Sequence, residues 1–167
     1  PGNKTTDAVQ RLETDVRAYK PDVVILLFGL NDSAVDVWRK ATEPRVPIDA
    51  YRKNLTAMVR TLKAEGAKPI LITPQPMHWT EKLKDLYAGP PHNDQSPYDA
   101  ADPLGFNATL VDYVQVVREV AEQEEVVLVD LHQQFMDYHA VEGQNLNDLL
   151  LDGMHPNDQG HRMIADA

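Results

Sequence analysis

The chain's most chemically suggestive spacing lies near its carboxyl end, in the run Asp152-Gly153-Met154-His155-Pro156-Asn157-Asp158-Gln159-Gly160-His161. An acid stands three residues before a histidine, and Gly153 between them allows the backbone a tight turn. Pro156 disfavours helical geometry at His155, and Asn157 or Asp158 is suited to cap a helix running into Met163 and Ile164. The pair is therefore expected on a turn ahead of a helix. A carboxylate beside an imidazole can fix the ring's tautomer and orientation while the ring accepts a proton from a nucleophile. Asp-x-x-His alone is a weak signal, because surface acids and histidines often meet by chance, so the elements that would position it matter.

Those elements follow from periodicity. Thr5 or Thr6 is placed to cap a helix with Val9, Leu12, Val16 and Tyr19 on one stripe, ended by Pro21. Val23 to Phe28 is apolar without alternation, as expected of a parallel strand covered on both faces. It stops at the polar cluster Gly29-Leu30-Asn31-Asp32-Ser33, and in open parallel sheets ligands bind beyond the carboxyl ends of strands. A helix from Pro47 directs Tyr51, Leu55, Met58, Val59 and Leu62 inward, with Gly66 near its stop. A strand follows over Pro69–Thr73. The stretch from Pro74 to Gly105 is irregular, with one helical piece over Lys82–Tyr87; loops of such length are usually functional or disordered. A helix from Asn107, a strand over Val126–Leu131, a helix through Phe135 and Met136 and the helix from Asn157 complete the chain. Strand and helix alternate, which predicts an α/β fold with a parallel sheet and helices on both faces.

Composition sets limits. The chain has 167 residues, enough for one domain with a real core, and no internal repeat or linker divides it. A formal net charge of -10 disfavours nucleic acid as a partner, since a phosphate backbone needs clustered Lys and Arg. No apolar run reaches the length of a membrane span. Cysteine is absent, so neither disulfides nor thiolate metal sites are available. The compartment stays open: the acceptor patterns at Asn3, Asn54 and Asn107 are too short to establish secretion.

The residues resemble the SGNH hydrolases, also called GDSL esterases and lipases, a family marked by four blocks carrying in order a Ser, a Gly, an Asn and a His. Gly2-Asn3-Lys4-Thr5 looks like the glycine block, Gly29-Leu30-Asn31-Asp32 like the asparagine block and Asp152-Gly153-Met154-His155 like the last. The serine block does not appear; Ser33 and Ser96 are the two serines, and neither follows Gly-Asp. The resemblance implies a flavodoxin-like, three-layer α/β/α domain with a five-stranded parallel sheet. The strands read here would be its last three, and residues 1–167 one domain lacking its first two strands. It implies a serine esterase in which His155 is the base, Asp152 steadies it, and the Gly2 N–H and Asn31 amide help form an oxyanion hole. The nucleophilic serine is then expected upstream of Pro1, and the 167 residues alone are expected to be inactive.

For substrate, Trp38, His78, Trp79 and Tyr98 come from loops after the strands and are candidates to rim a pocket, although both tryptophans could equally anchor their loops. The form of the glycine and asparagine blocks resembles the carbohydrate-esterase branch, which points to small acyl, chiefly acetyl, esters of a sugar. Lipid or thioester hydrolysis is the alternative within the family, and a non-catalytic binding module is the alternative outside it. Asp32 reads as a structural turn residue, Ser33 lies on the wrong strand tip for the nucleophile, and His161, His132 and His139 read as structural or exposed. A divalent-metal hydrolase built on Asp152, His155, Asp158 and His161 is disfavoured, because the spacing lacks the paired histidines of a helical zinc motif. No cofactor is called for.

Overall fold

The computed structural model describes residues 2–89 and 96–167. Helix α1 (Thr5–Asp15) leads to strand β1 (Val23–Leu27). Then come α2 (Ile48–Ala64), β2 (Lys68–Ile72), α3 (Glu81–Tyr87), α4 (Leu110–Gln123), β3 (Val127–Val129), α5 (Leu131–Ala140) and α6 (Asp158–Asp166). The strands form one parallel sheet in the order β1-β2-β3, with Ile25 opposite Ile70 and Leu71 opposite Leu128. Each strand thus joins beside its predecessor, and the intervening helices carry the chain back across the sheet.

The apolar stripes explain the layers. Ala8 and Leu12 of α1, Tyr51, Leu55, Met58, Val59 and Leu62 of α2, and Tyr113, Val117 and Val120 of α4 pack over Val24, Leu26 and Leu71 on one face. On the other face Leu131 and Phe135 of α5 gather with Ile72, Leu146 and Leu149, and Met163 and Ile164 of α6 lean on them. A third cluster fills the loop side of α4, where Trp79, Leu83, Tyr87, Tyr98 and Phe106 surround Leu110 and Val114.

Three expectations need correcting. The strand from Val23 is not covered on both faces: Val24 and Leu26 are buried, while Val23, Ile25 and Leu27 keep 49%, 63% and 39% of their surface exposed. The cause is placement, since the α5–α6 cluster covers the β2–β3 side of that face and stops short of β1. Among the described residues β1 is also an edge strand, so an apolar stripe and an open ladder lie side by side. Second, the helix expected from Asn107 begins at Leu110, after a 3-10 turn over Gly105–Asn107. Asn107 is buried and uses its side chain as a bracket, accepting from the Met77 N–H at 2.6 Å and donating to the Met77 and Leu104 carbonyls at 2.8 and 3.1 Å. Third, Thr5 does not cap α1; Lys4 occupies that position, and its backbone N–H is taken by the Asp7 carboxylate at 2.9 Å. In the irregular stretch, the helical piece is α3, and residues 90–95 lie outside the described residues. The described helices include none long and apolar enough to cross a membrane.

Leu55 is almost fully enclosed between α1, α4 and the sheet, so Leu55→Ala is expected to cost about 2–5 kcal/mol of stability. Urea unfolding of the variant beside the parent chain checks this, and a loss below 1 kcal/mol, by the same scale, would mean the layers are not packed as described.

Candidate active site

The site is built at the carboxyl ends of β1 and β2. At the tip of β1 the chain bends sharply at Gly29, whose φ of +131° no side-chain-bearing residue adopts comfortably. A Cβ there would also stand 2.8 Å from Pro74 Cγ and 3.1 Å from the Tyr51 hydroxyl. Tyr51 reaches the same bend, its hydroxyl donating to the Phe28 carbonyl at 2.9 Å. Asp32, fully buried two residues beyond Leu30, accepts from the Thr5 N–H at 2.8 Å and the Thr5 hydroxyl at 2.6 Å through Oδ1. Asn54 of α2 donates to that same hydroxyl at 3.1 Å. The start of α1, and with it the Gly2 segment, is thereby fastened to the Asn31 turn. Burial, which penalises the charged form, is the largest influence on Asp32 and raises its pKa against the lowering effect of the Thr5 bonds. Its Oδ2 is buried without a partner among the described residues.

Asn31 itself is held from one side. Its Oδ1 accepts from Arg45 Nη1 at 2.9 Å, and the same guanidinium grips Asp36 through Nε at 3.0 Å and Nη2 at 2.6 Å.

The Asp152–His155 turn forms as its spacing implies. Asp152 Oδ1 accepts from the N–H groups of Met154 and His155 at 3.0 and 2.9 Å, and its Oδ2 lies 2.9 Å from His155 Nδ1. Burial pushes the Asp152 pKa up, but the His155 backbone and ring bonds and the Met154 N–H outweigh it, leaving the carboxyl below its ordinary value. Asn157 caps α6 by accepting from the N–H groups of Gln159 and Gly160. Two bonds dock this turn on the segment after β2: the His78 N–H donates to the Gly153 carbonyl at 2.8 Å, and Gln75 Nε2 to the Met154 carbonyl at 2.9 Å. Gly153 has φ +88°, and a Cβ on it would fall 2.4 Å from the His78 carbonyl oxygen. Only glycine allows that approach.

A hollow of about 490 Å³ opens where these parts meet. Gly2, Asn3, Arg11, Leu27, Phe28, Gly29, Leu30, Asn31, Pro74, Gln75, Pro156, His161 and Ile164 line it. Gly2 and Asn31 therefore share one cavity, and the Asp152–His155 turn meets it through Pro156. His155 itself is not among the lining residues; its ring is largely exposed. His161 is exposed on α6, as its reading as a surface residue expects, and also lines the hollow.

The aromatic candidates fare differently. Trp79 is buried, stacked on Phe106 with ring centroids 4.5 Å apart, and its Nε1 donates to the carbonyls of Asp99 and Asp102, so it is a core anchor and not a substrate contact. Tyr98 is buried too, its hydroxyl accepting the Val35 N–H at 2.8 Å. His78 serves through its backbone, while its ring Nδ1 sits 2.9 Å from the Trp79 carbonyl oxygen. Trp38 is half-exposed under the Arg39 guanidinium, 4.3 Å from its ring centre, and does not line the hollow. Ser33 is buried with its hydroxyl donating to the Leu30 carbonyl, and the Ser96 hydroxyl donates to the Tyr87 carbonyl. Asp152, His155, Asp158 and His161 do not converge as a metal-binding group among the described residues.

Gln75, Asn107 and Arg45 were not foreseen. Gln75 had a readable signal, a lone amide between Pro74 and Pro76 at a strand tip. Asn107 and Arg45 act across gaps of 30 and 14 residues, where no local periodicity speaks.

Parallel strands with helices on both sides, and a hollow at the strand tips, define a three-layer α/β protein with its candidate site beyond the sheet. The chain belongs to the GDSL-like Lipase/Acylhydrolase family, whose model matches residues 1–163. Its relatives include the uncharacterized lipoprotein YqeF of Bacillus subtilis (strain 168), 32% identical over 81% of this chain and 54% of that protein. An acetylxylan esterase of Geobacillus stearothermophilus is 29% identical over 99% of this chain and 66% of its own length. The chain thus spans less than two thirds of each of these relatives. A crystal structure of an acetylxylan esterase from Geobacillus stearothermophilus superposes with a TM-score of 0.70 at 28% identity, covering 99% of this chain and 65% of that one. Catalytic mutants of that enzyme have been solved with a serine, an aspartate or a histidine replaced by alanine, the last two being three positions apart.

The raised pKa of Asp32 gives a signed expectation. A carboxyl that holds its proton more tightly when folded adds stability below its ordinary value of about 3.9, and that contribution is lost as pH rises through the higher folded value. Relative to Asp32→Asn, which does not titrate, the parent chain should therefore lose stability as pH climbs from about 3.5 to 7. Urea unfolding of both across that range is the measurement; a stability difference independent of pH would contradict the assignment.

Proposed function

We propose that this chain is the larger part of a serine-type ester hydrolase that removes small acyl groups, chiefly acetyl, from a carbohydrate. The observation that carries the reading is the hollow that Gly2 and Asn31 share, which the Asp152–His155 turn adjoins through Pro156 and through Gln75, a lining residue that bonds to the turn. The acetylxylan esterases among the relatives support the substrate class, and their paired aspartate and histidine mutants support the roles given to Asp152 and His155.

In this reading residues 1–167 are one SGNH-type domain, and the nucleophile is a serine outside them. Ser33 and Ser96 are both spent on backbone carbonyls. In this reading the segment bearing the serine would pack against the exposed Val23, Ile25 and Leu27 of β1. The 167 residues alone then turn over no ester.

The chemistry follows from the parts. The serine hydroxyl attacks the ester carbonyl as His155 takes its proton through the ring nitrogen not facing Asp152. Asp152, kept ionised by its three hydrogen bonds, fixes the ring and stabilises the imidazolium. Negative charge collects on the former carbonyl oxygen, where the Gly2 N–H, the Asn31 amide and the serine N–H donate; each such donor is worth about 3 kcal/mol. His155 returns the proton to the leaving sugar hydroxyl, and water then releases acetate by the same steps reversed. Trp38, half-exposed on the loop that follows Asn31 but outside the hollow's lining, is the aromatic ring we assign to more distant parts of the sugar.

In the complete gene product, Asn31→Ala and His155→Ala are each expected to lower kcat on p-nitrophenyl acetate by on the order of 100-fold or more. Melting temperatures should change little, because neither side chain is part of the packed core. Parent-like turnover in either variant breaks the assignment.

A further inference from the structure

We infer that Arg45 is a positioning residue for Asn31, holding its carboxamide one way round so that the N–H groups face the reacting oxygen. The inference rests on the reading of Asn31 as an oxyanion donor. A carboxamide has two ends of nearly equal shape and opposite hydrogen-bonding sense, and nothing in its covalent structure chooses between them. The choice decides function, for a flipped Asn31 would aim a carbonyl oxygen at developing negative charge.

Arg45 makes the choice by donor chemistry. A guanidinium has five N–H donors and no acceptor, so the atom it meets at 2.9 Å has to be Asn31 Oδ1, which leaves Nδ2 on the opposite side. Among the described residues no protein acceptor engages Nδ2. The guanidinium is itself immobilised. Asp36 takes it at two points, 3.0 and 2.6 Å, the paired geometry that fixes the plane of an arginine head. Its root is pinned as well: the Arg45 N–H donates to the Ala34 carbonyl at 3.0 Å and the Val46 N–H to the Asp32 carbonyl at 3.1 Å. Residues 45–46 therefore lie against the turn that bears Asn31, and the side chain has a short fixed reach back to it. Because Asp36 offsets the charge, Arg45 acts mainly by orientation, with a smaller gain from polarising the amide it touches.

A double-mutant cycle in the complete protein tests this, with Arg45→Met, Asn31→Ala and the pair assayed on p-nitrophenyl acetate. Arg45→Met is expected to lower kcat on the order of 10-fold to 100-fold with KM changed by less than about threefold, the pattern of a donor lost from the transition state. In the Asn31→Ala background the same change should matter by less than about twofold, because no amide is left to orient. Arg45→Lys, which keeps a donor for Oδ1, should recover part of the loss and covers the case of a poorly folding Met variant. Arg45 losses that multiply with those of Asn31→Ala, or parent-like kcat in Arg45→Met, would overturn the inference while leaving Asn31 as a donor. Unchanged turnover in Asn31→Ala alone would instead remove the oxyanion reading, and the role of Arg45 with it.

Discussion

The buried contact between Asp32 and Thr5 is the constraint on which the site's geometry depends. It joins two segments that are 27 residues apart in sequence, the start of α1 and the turn after β1, through two short bonds to one carboxylate oxygen. Without it the Gly2 segment would keep only the helix behind it and the Asn54 bond to the Thr5 hydroxyl among the ties described. The carboxylate sits in an expensive place: its burial raises the pKa, and its second oxygen has no partner among the described residues. A fold tolerates such a group where position matters more than stability, and here it sets the separation of Gly2 and Asn31 across the hollow.

The other half of the site is assembled by a chain of brackets. Asn107 holds Met77 from both sides of its peptide, Met77 stands between Gln75 and His78, and those two hold the carbonyls of Met154 and Gly153. A buried amide beneath α4 thus supports a turn more than forty residues further along the chain, without touching the histidine it helps to place. The two halves converge because β1 and β2 are neighbours, which brings Gly29 against Pro74 at the strand tips.

Much of this was legible in the letters. Three parallel strands, the stripes of α2 and α4 and the Asp152–His155 turn follow from local patterns that the structure repeats, whereas the first stripe fails, since α1 ends at Asp15 and Val9 and Tyr19 are exposed. The turn was legible for another reason: among the described residues Asp152 bonds only to residues within three positions of itself. What could not be read were the contacts that cross the fold. The burial of Trp79 depends on Phe106, and the covering of β1 depends on how far α5 and α6 extend over the sheet, neither of which leaves a periodic trace. Thr5 looked like a helix cap because its type suits one; Asp32 claimed its hydroxyl instead. The two tryptophans show the limit well, since the same residue type is a buried anchor at one position and a half-exposed ring at the other.

The bond between the His78 N–H and the Gly153 carbonyl joins main chain to main chain. Any residue but proline at position 78 supplies the same N–H, so a change of side chain there leaves the histidine turn its footing. In the hydrolase reading proposed above, the loop's side chains and the seat of His155 are thus separate matters.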